Sequence, residues 1–230
     1  MTLVTLSSAP RAHGDTRAHV KIVRAEDRYP EPQVLSEAPA VWVIDDAMDE
    51  TERRTVVALF GEETFVEAEA DYYAFDERGF VAELAAERHP LLATIAARLE
   101  QMLQRRSATC ATLRFRYYGP GQGHGAHVDT YTADGVTLGI SALVCLAAPE
   151  SGGETDFPLA RPTPVRVQHR PGRLIAWNST LPSGDAEPAS RHEGLPVEVG
   201  SKCVLLAFLY LRPNEHAIPL RLQAVTRLAE

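Results

Sequence analysis

The spacing of apolar positions changes once along the chain, near Arg106. Before that point apolar residues recur at helical intervals. Asp49 stands three residues ahead of Glu52, a capping-box pair, and the segment ETERRTVVALF follows it as a helix. A second helix is predicted from Pro90, a favourable first helical residue. Leu92, Ile95, Ala96, Leu99 and Leu103 then form one apolar stripe suited to packing on a sheet. Ahead of both helices, VWVIDD at 41–46 reads as a compact strand and its stop. After Arg106 the period becomes two. Residues 111–118 alternate and end at the turn Gly119-Pro120-Gly121. Val136, Leu138, Ile140, Ala142, Val144 and Leu146 share one face of a long strand. Shorter strands are predicted at Val165–Val167, Leu174–Trp177, Val197–Val199 and Cys203–Leu211, separated by the turn signals SGGE, RPG, PSGD and VGS. The pattern predicts a mainly β protein with N-terminal helices, its core a sandwich or barrel, jelly-roll forms included. Residues 1–35 are expected to be a loosely ordered arm with a short edge strand near Val20–Val23. Residues 36–230 then make a single domain, with a helical support region at 36–106 and the β core at 107–215.

Composition narrows the class of partner. With 230 residues, 45% hydrophobic and 23% charged, the chain has the make-up of an ordinary globular domain. A net charge of −8 without a dense Lys/Arg stripe argues against nucleic acid. The N-terminus loses its apolar character after Leu6, too early for a signal-peptide core, and no stretch approaches the length of a membrane span. A cytoplasmic protein without a membrane partner is expected. Cys110, Cys145 and Cys203 lie in or beside apolar runs with no CxxC pair, and read as small hydrophobes rather than a disulfide framework.

The chemistry concentrates in three places. HVD at 127–129 puts an imidazole and a carboxylate at i and i+2, on one face of an extended segment. Together they are two thirds of a two-His-one-carboxylate facial triad, which leaves coordination positions open on iron(II). By itself HxD is a weak signal. His192, 65 residues beyond His127 and just ahead of a strand, is the best third ligand, although in isolation it also reads as a solvent-facing loop histidine. Lys202 is one of only two lysines in a chain with 21 arginines, and it opens the most apolar strand, KCVLLAFLYL. A charge there is costly unless solvated or paired. A compact ammonium facing a cavity would pair with a carboxylate; the alternative is a strand-end lysine reaching water.

From Tyr117 to Arg212 the chain resembles the catalytic core of the prolyl 4-hydroxylase-like Fe(II)/2-oxoglutarate-dependent dioxygenases, through YYGPGQGHGAHVD, SGGETDFP, PGRLIAWN and RHEGLPVEVGSK, in that order. The resemblance implies a double-stranded β-helix (jelly roll) braced by the N-terminal helices, with 107–215 as its catalytic core. It implies iron(II) held by His127, Asp129 and His192. Lys202, ten residues past His192, would take the far carboxylate of 2-oxoglutarate, and Tyr118 would add a hydrogen bond to that cosubstrate. Dioxygen is the co-reactant, and ascorbate a candidate reductant. The implied reaction is hydroxylation of a C–H bond in a small-molecule, amino-acid or peptide-like substrate, releasing succinate and CO2. Two alternatives stand beside it: a peptidyl or prolyl hydroxylase acting on a protein, and a non-catalytic jelly-roll metal- or ligand-sensing module. Asp129 argues against the related halogenases, which carry a small residue there. His124 stands where many members have an aromatic residue, and reads as a rim histidine or a substrate-facing group. Arg116 and Arg191 are the nearest cations for an acidic substrate, and read otherwise as surface arginines. Trp177 is expected in the core.

Overall fold

Alternation along the strands sorts side chains into two apolar layers. In strand β3 (Ala40–Ile44), Trp42 and Ile44 join one layer while Val41 and Val43 join the other. Every residue of β3 is buried because the sheet it belongs to is covered on both faces. The computed structural model describes residues 19–29, 31–76, 78–103, 109–130, 132–133 and 136–211. With β1 (Lys21–Val23) and β2 (Gln33–Glu37) preceding β3, the remaining strands are β4 (Tyr72–Asp76), β5 (Gly79–Ala85), β6 (Thr109–Tyr118), β7 (His124–His127), β8 (Thr132–Ala133), β9 (Val136–Ala147), β10 (Ser151–Gly152), β11 (Thr155–Phe157), β12 (Val165–Val167), β13 (Leu174–Asn178), β14 (His192–Gly194), β15 (Val197–Val199) and β16 (Lys202–Leu211). The helices are α1 (Glu50–Gly61), α2 (Glu63–Glu69) and α3 (Pro90–Met102).

The larger sheet runs β2-β3-β13-β9-β16-β6-β5-β4, with β8 on β9; the smaller runs β1-β12-β11-β14-β7. A separate ribbon pairs β10 with β15. The two sheets face each other as a double-stranded β-helix. Between them lie Val41, Val43, Leu143, Ile175, Trp177 and Val204 from the larger sheet, against Phe157, Val165 and Val167 from the smaller. The other face of the larger sheet is covered by the helices. Leu92, Ile95, Ala96 and Leu99 form the predicted stripe of α3, and Val56 and Phe60 anchor α1. Asp49 and Glu52 close the predicted capping box, and Glu52 also pairs with Arg98 of α3 at 2.7 Å, tying the two helices together.

The structure departs from the sequence pattern in two stretches. The described residues among 21–35 are not loose: β1 adds to β12, β2 adds to β3, and the fully buried Arg173 is bonded to the segment between them. Its guanidinium donates to the Arg24 and Asp27 carbonyls and to Asp45. Residues 1–18 lie outside the described residues, as do 212–215 at the end of the expected core. The region 36–106 is not only helical, since β4 and β5 extend the larger sheet at the far side of β6. Gly79 closes that hairpin at φ +108, where a Cβ would collide with the Tyr117 carbonyl. Cys145 and Cys203 are free and buried, and burial pushes their thiols up to about 12 and about 11; the Cys110 side chain lies outside the description.

Candidate metal centre and its pocket

The three ligand-type side chains meet because β7 and β14 are antiparallel neighbours with His127 directly opposite His192. Gly123 permits the close approach, since a Cβ there would stand 2.6 Å from the Gly194 carbonyl oxygen. Asp129 lies two residues past His127, where the chain leaves the strand. The carboxylate closes the group: Oδ1 is 3.3 Å from His127 Nε2 and Oδ2 is 3.8 Å from His192 Nε2. All three ligand atoms lie within 4.8 Å of one another.

Both imidazoles are fixed in the same way. His127 Nδ1 donates to the Gly125 carbonyl at 2.8 Å, and His192 Nδ1 donates to the Ser190 carbonyl at 2.9 Å. A carbonyl only accepts, so each Nδ1 carries the proton and each Nε2 is left to face Asp129. Two neutral imidazole lone pairs and a carboxylate repel at this range unless a cation sits among them. A hydrogen bond to Asp129 raises the His127 pKa, so a proton takes that role when no metal does. Burial lowers the His192 pKa, which favours the neutral form that ligates. Burial works against the Asp129 charge, but hydrogen bonds with His127 and Ser141 and the nearby His192 hold its pKa below the ordinary value. Ser141 is itself hydrogen-bonded to Ser179 at 2.8 Å, which extends the support of the carboxylate into β13 and the loop after it. Donor set, tautomers and spacing therefore fit a divalent transition metal such as iron(II).

The pocket beside this group lies between the sheets. Lys202 opens β16 opposite Tyr118, the last residue of β6. Its side chain does not reach water: Lys202 is 3% exposed. The ammonium donates to the Gly153 carbonyl at 2.8 Å and stands 4.7 Å over the Tyr118 ring, and burial brings its pKa down to about 8. Tyr118 is buried, and burial raises the pKa of its phenol, which hydrogen-bonds with Arg116. Gly194 is placed so that a Cβ would come 3.5 Å from Lys202 Nζ, and its missing side chain leaves room beside the ammonium.

Three expectations need revision or refinement. Arg116 is not a surface arginine; it is 5% exposed and lines the pocket. His124 is half-buried rather than on the rim. It stacks on His127 with ring centroids 4.3 Å apart, and burial lowers its pKa to about 3. Trp177 is buried as expected, and its ring also packs 4.5 Å from His192 in the pocket wall. Arg191 is exposed. The pattern of residues had not singled out Thr155, Gly194 or Arg114, which also line the pocket. Thr155 stands beside Asp156 in the strand triplet TDF, so no contrast with apolar neighbours marks it, and Arg114 and Gly194 carry no local signal either. A larger cavity of about 770 Å³ lies on the opposite face of β6, lined by aromatics including Phe60, Phe80 and Phe115. Its lining contains no histidine and Glu67 as its one carboxylate, so the metal-ligating chemistry is not there.

The chain is similar in sequence and in fold to known proteins. Residues 113–210 match the family model of the 2OG-Fe(II) oxygenase superfamily. The chain is 26% identical over 147 residues to the chicken (Gallus gallus) prolyl 4-hydroxylase subunit alpha-1, covering 60% of this chain and 28% of that protein. It thus spans about a quarter of the length of the curated relatives it matches. A viral collagen prolyl hydroxylase from Paramecium Bursaria Chlorella virus-1, solved with 2OG, superposes with TM-score 0.61 at 19% identity, covering 77% of this chain and 99% of that one. A Pseudomonas putida prolyl-4-hydroxylase superposes with TM-score 0.55 at 17% identity, covering 76% and 95%. Residues 113–210 are thus similar to a 2OG-Fe(II) oxygenase domain, and the chain shares the fold of the solved prolyl hydroxylases.

Proposed function

We propose that the protein is a 2-oxoglutarate-dependent dioxygenase that hydroxylates a C–H bond of a small-molecule, amino-acid or peptide-like substrate. One observation carries the reading. Two Nε2 atoms and one carboxylate, with both Nδ1 atoms tied to backbone carbonyls, converge in a pocket that also holds a buried, cationic lysine. His127, Asp129 and His192 would hold iron(II). Lys202 would pair with the far carboxylate of 2-oxoglutarate, in the space that Gly194 leaves, and Tyr118 would border the same cosubstrate. Bound iron(II) supplies oxidative decarboxylation of 2-oxoglutarate by dioxygen and oxygen insertion into a substrate C–H bond.

The residues of the chain orient and enclose this chemistry. Ser141 keeps Asp129 aimed at the two histidines. Trp177 and Phe157 wall off His192, with ring centroids 4.5 Å and 5.5 Å from it, and exclude water on that side. Lys202 offers a directed charge that is buried, where a carboxylate is held more strongly than in water. Lys202→Ala should weaken 2-oxoglutarate binding by about 2–3 kcal/mol, the scale of a hydrogen bond to a charged group.

A second reading, hydroxylation of a prolyl residue in a peptide or protein, is favoured by the names of the relatives. These include the chicken prolyl 4-hydroxylase subunits and a Trichoplax adhaerens prolyl hydroxylase solved with a hypoxia inducible factor peptide fragment. Succinate release in the presence of free amino acids, of proline-containing peptides and of neither separates the readings. Substrate-coupled succinate, with a product heavier by one oxygen atom, supports the enzyme. Its absence with every class, despite metal and cosubstrate binding, would favour a sensing module. Ascorbate belongs in the assay as external reductant. The free thiols suit a reducing cytoplasm. Among the described residues no helix is long and apolar enough to cross a membrane.

A further inference from the structure

Behind the lysine end of the pocket is a buried histidine with no part in the metal group. Thr155 of β11 lines the pocket and lies opposite Gly194 across the β11–β14 pair. Its hydroxyl is 3.1 Å from Nε2 of His169, which is 5% exposed just beyond β12. His169 Nδ1 is buried and has no hydrogen-bond partner among the described residues. The charged groups facing this ring are the ammonium of Lys202 and the guanidinium of Arg173, both cationic. With burial, they hold the ring in its neutral form.

A neutral imidazole has one N–H to place. On Nδ1 it would be a buried donor with nothing to bind; on Nε2 it has the Thr155 oxygen. Orphaned buried N–H groups are rare and expensive, whereas a bare acceptor is tolerated more often. The proton therefore belongs on Nε2, which donates to Thr155 Oγ1. A hydroxyl that accepts from His169 turns its own O–H elsewhere, and Thr155 borders the pocket. With the other tautomer Thr155 would donate to His169 and present lone pairs to the pocket, repelling an anion.

We infer that His169 is a positioning residue that aims the Thr155 hydroxyl proton into the pocket, giving a carboxylate bound at Lys202 a second hydrogen-bond donor. This rests on the reading of the pocket as a 2-oxoglutarate site. The relay explains why a neutral histidine occupies a site already next to two cations: a charged ring would add repulsion, and an apolar one would leave the hydroxyl unoriented.

Two measurements test it. Nitrogen-15 NMR of the histidine side chains in metal-free protein reads the tautomer directly, with no cosubstrate present. The expected result is protonation at His169 Nε2; a proton on Nδ1 overturns the inference. The second is the dissociation constant of 2-oxoglutarate in the anaerobic iron(II) complex. Thr155→Val should weaken it by about tenfold, as expected for one hydrogen bond to a charged group. His169→Phe should weaken it severalfold, and His169→Gln, whose amide can donate to Thr155, should recover most of the loss. The double variant Thr155→Val/His169→Phe should bind no worse than Thr155→Val alone, because His169 acts through the hydroxyl. Wild-type affinity in His169→Phe, or losses that add in the double variant, would overturn the relay. If the wild-type protein does not bind 2-oxoglutarate, the reading of the pocket fails, and the tautomer still decides the orientation of Thr155.

Discussion

Gly194 and Lys202 together define the room for a carboxylate. A Cβ at Gly194 would meet His124 and Lys202 Nζ at 3.5 Å, ordinary contact distance, so alanine is compatible with the fold. It would nevertheless occupy the space beside the ammonium. Gly194→Ala is expected to melt as the wild type does while binding 2-oxoglutarate roughly tenfold more weakly, the effect of displacing one charge-assisted hydrogen bond. Calorimetry of both properties checks this, and unchanged affinity would count against the placement of the cosubstrate. Lys202 adds a pH dependence. Its pKa is brought down to about 8, and the protonated form is the one that pairs with a carboxylate. Affinity for 2-oxoglutarate should be level below pH 7 and fall by about tenfold per unit once pH passes well above 8. A flat profile from pH 7 to 9.5 would contradict the ion pair. For stability the sign is opposite. Between about 8 and the ordinary lysine value the unfolded chain binds the extra proton, so this group makes folding more favourable as pH rises through that window. At this scale the three side chains that the structure brings together could be picked out from HVD and from the family-like segment that carries His192 and Lys202. Arg116 was misplaced because inward and outward faces of β6 cannot be told from an alternating RFRYY segment when both faces are covered.

Elements deliver these residues to one point. The pairing of β7 with β14 sets His127 against His192, and the pairing of β6 with β16 sets Tyr118 against Lys202. The helices brace the opposite face. Asp49 accepts from Glu52 N at 2.8 Å, and Glu52 Oε2 accepts from Asp49 N at 3.1 Å. Asp49→Ala should lower stability by about 1 kcal/mol without touching the site, a shift of about 2–4 °C in Tm for a chain of this size. Thermal unfolding checks this alongside the iron(II) affinity, which should not change. The capping box, α3 and the longer strands were readable because each has a strong local signal. The β4–β5 hairpin was not, because YYAFDERGFVAELA places polar residues among aromatics without a steady period. Its strand state is decided by pairing with β6.

For the molecule as a whole, the two facing sheets enclose a slot, and its N-terminal edge is held by a buried cation. Arg173 is 0% exposed and binds Asp45, Arg24 and Asp27 together, with the Tyr29 ring 5.5 Å from its guanidinium carbon. Arg173→Met should destabilise the fold by about 3 kcal/mol, because among the described residues it leaves the buried Asp45 with Arg170, at 3.2 Å, as its one paired cation. Urea unfolding measures the loss, and faster proteolysis within residues 24–29 would locate it. This long-range tie joins positions nearly 150 residues apart in sequence, so no local pattern announces it. The jelly roll, in contrast, followed from the run of short strands and the four family-like segments in order. Binding of iron(II) and 2-oxoglutarate together on one face of this slot is read by anaerobic titration of the apo-protein with iron(II) and then 2-oxoglutarate, followed by visible absorption. The expected result is a weak charge-transfer band that requires both additions and is lost in Asp129→Ala and His192→Ala. No band in the wild-type protein, or an undiminished band in either variant, would contradict it.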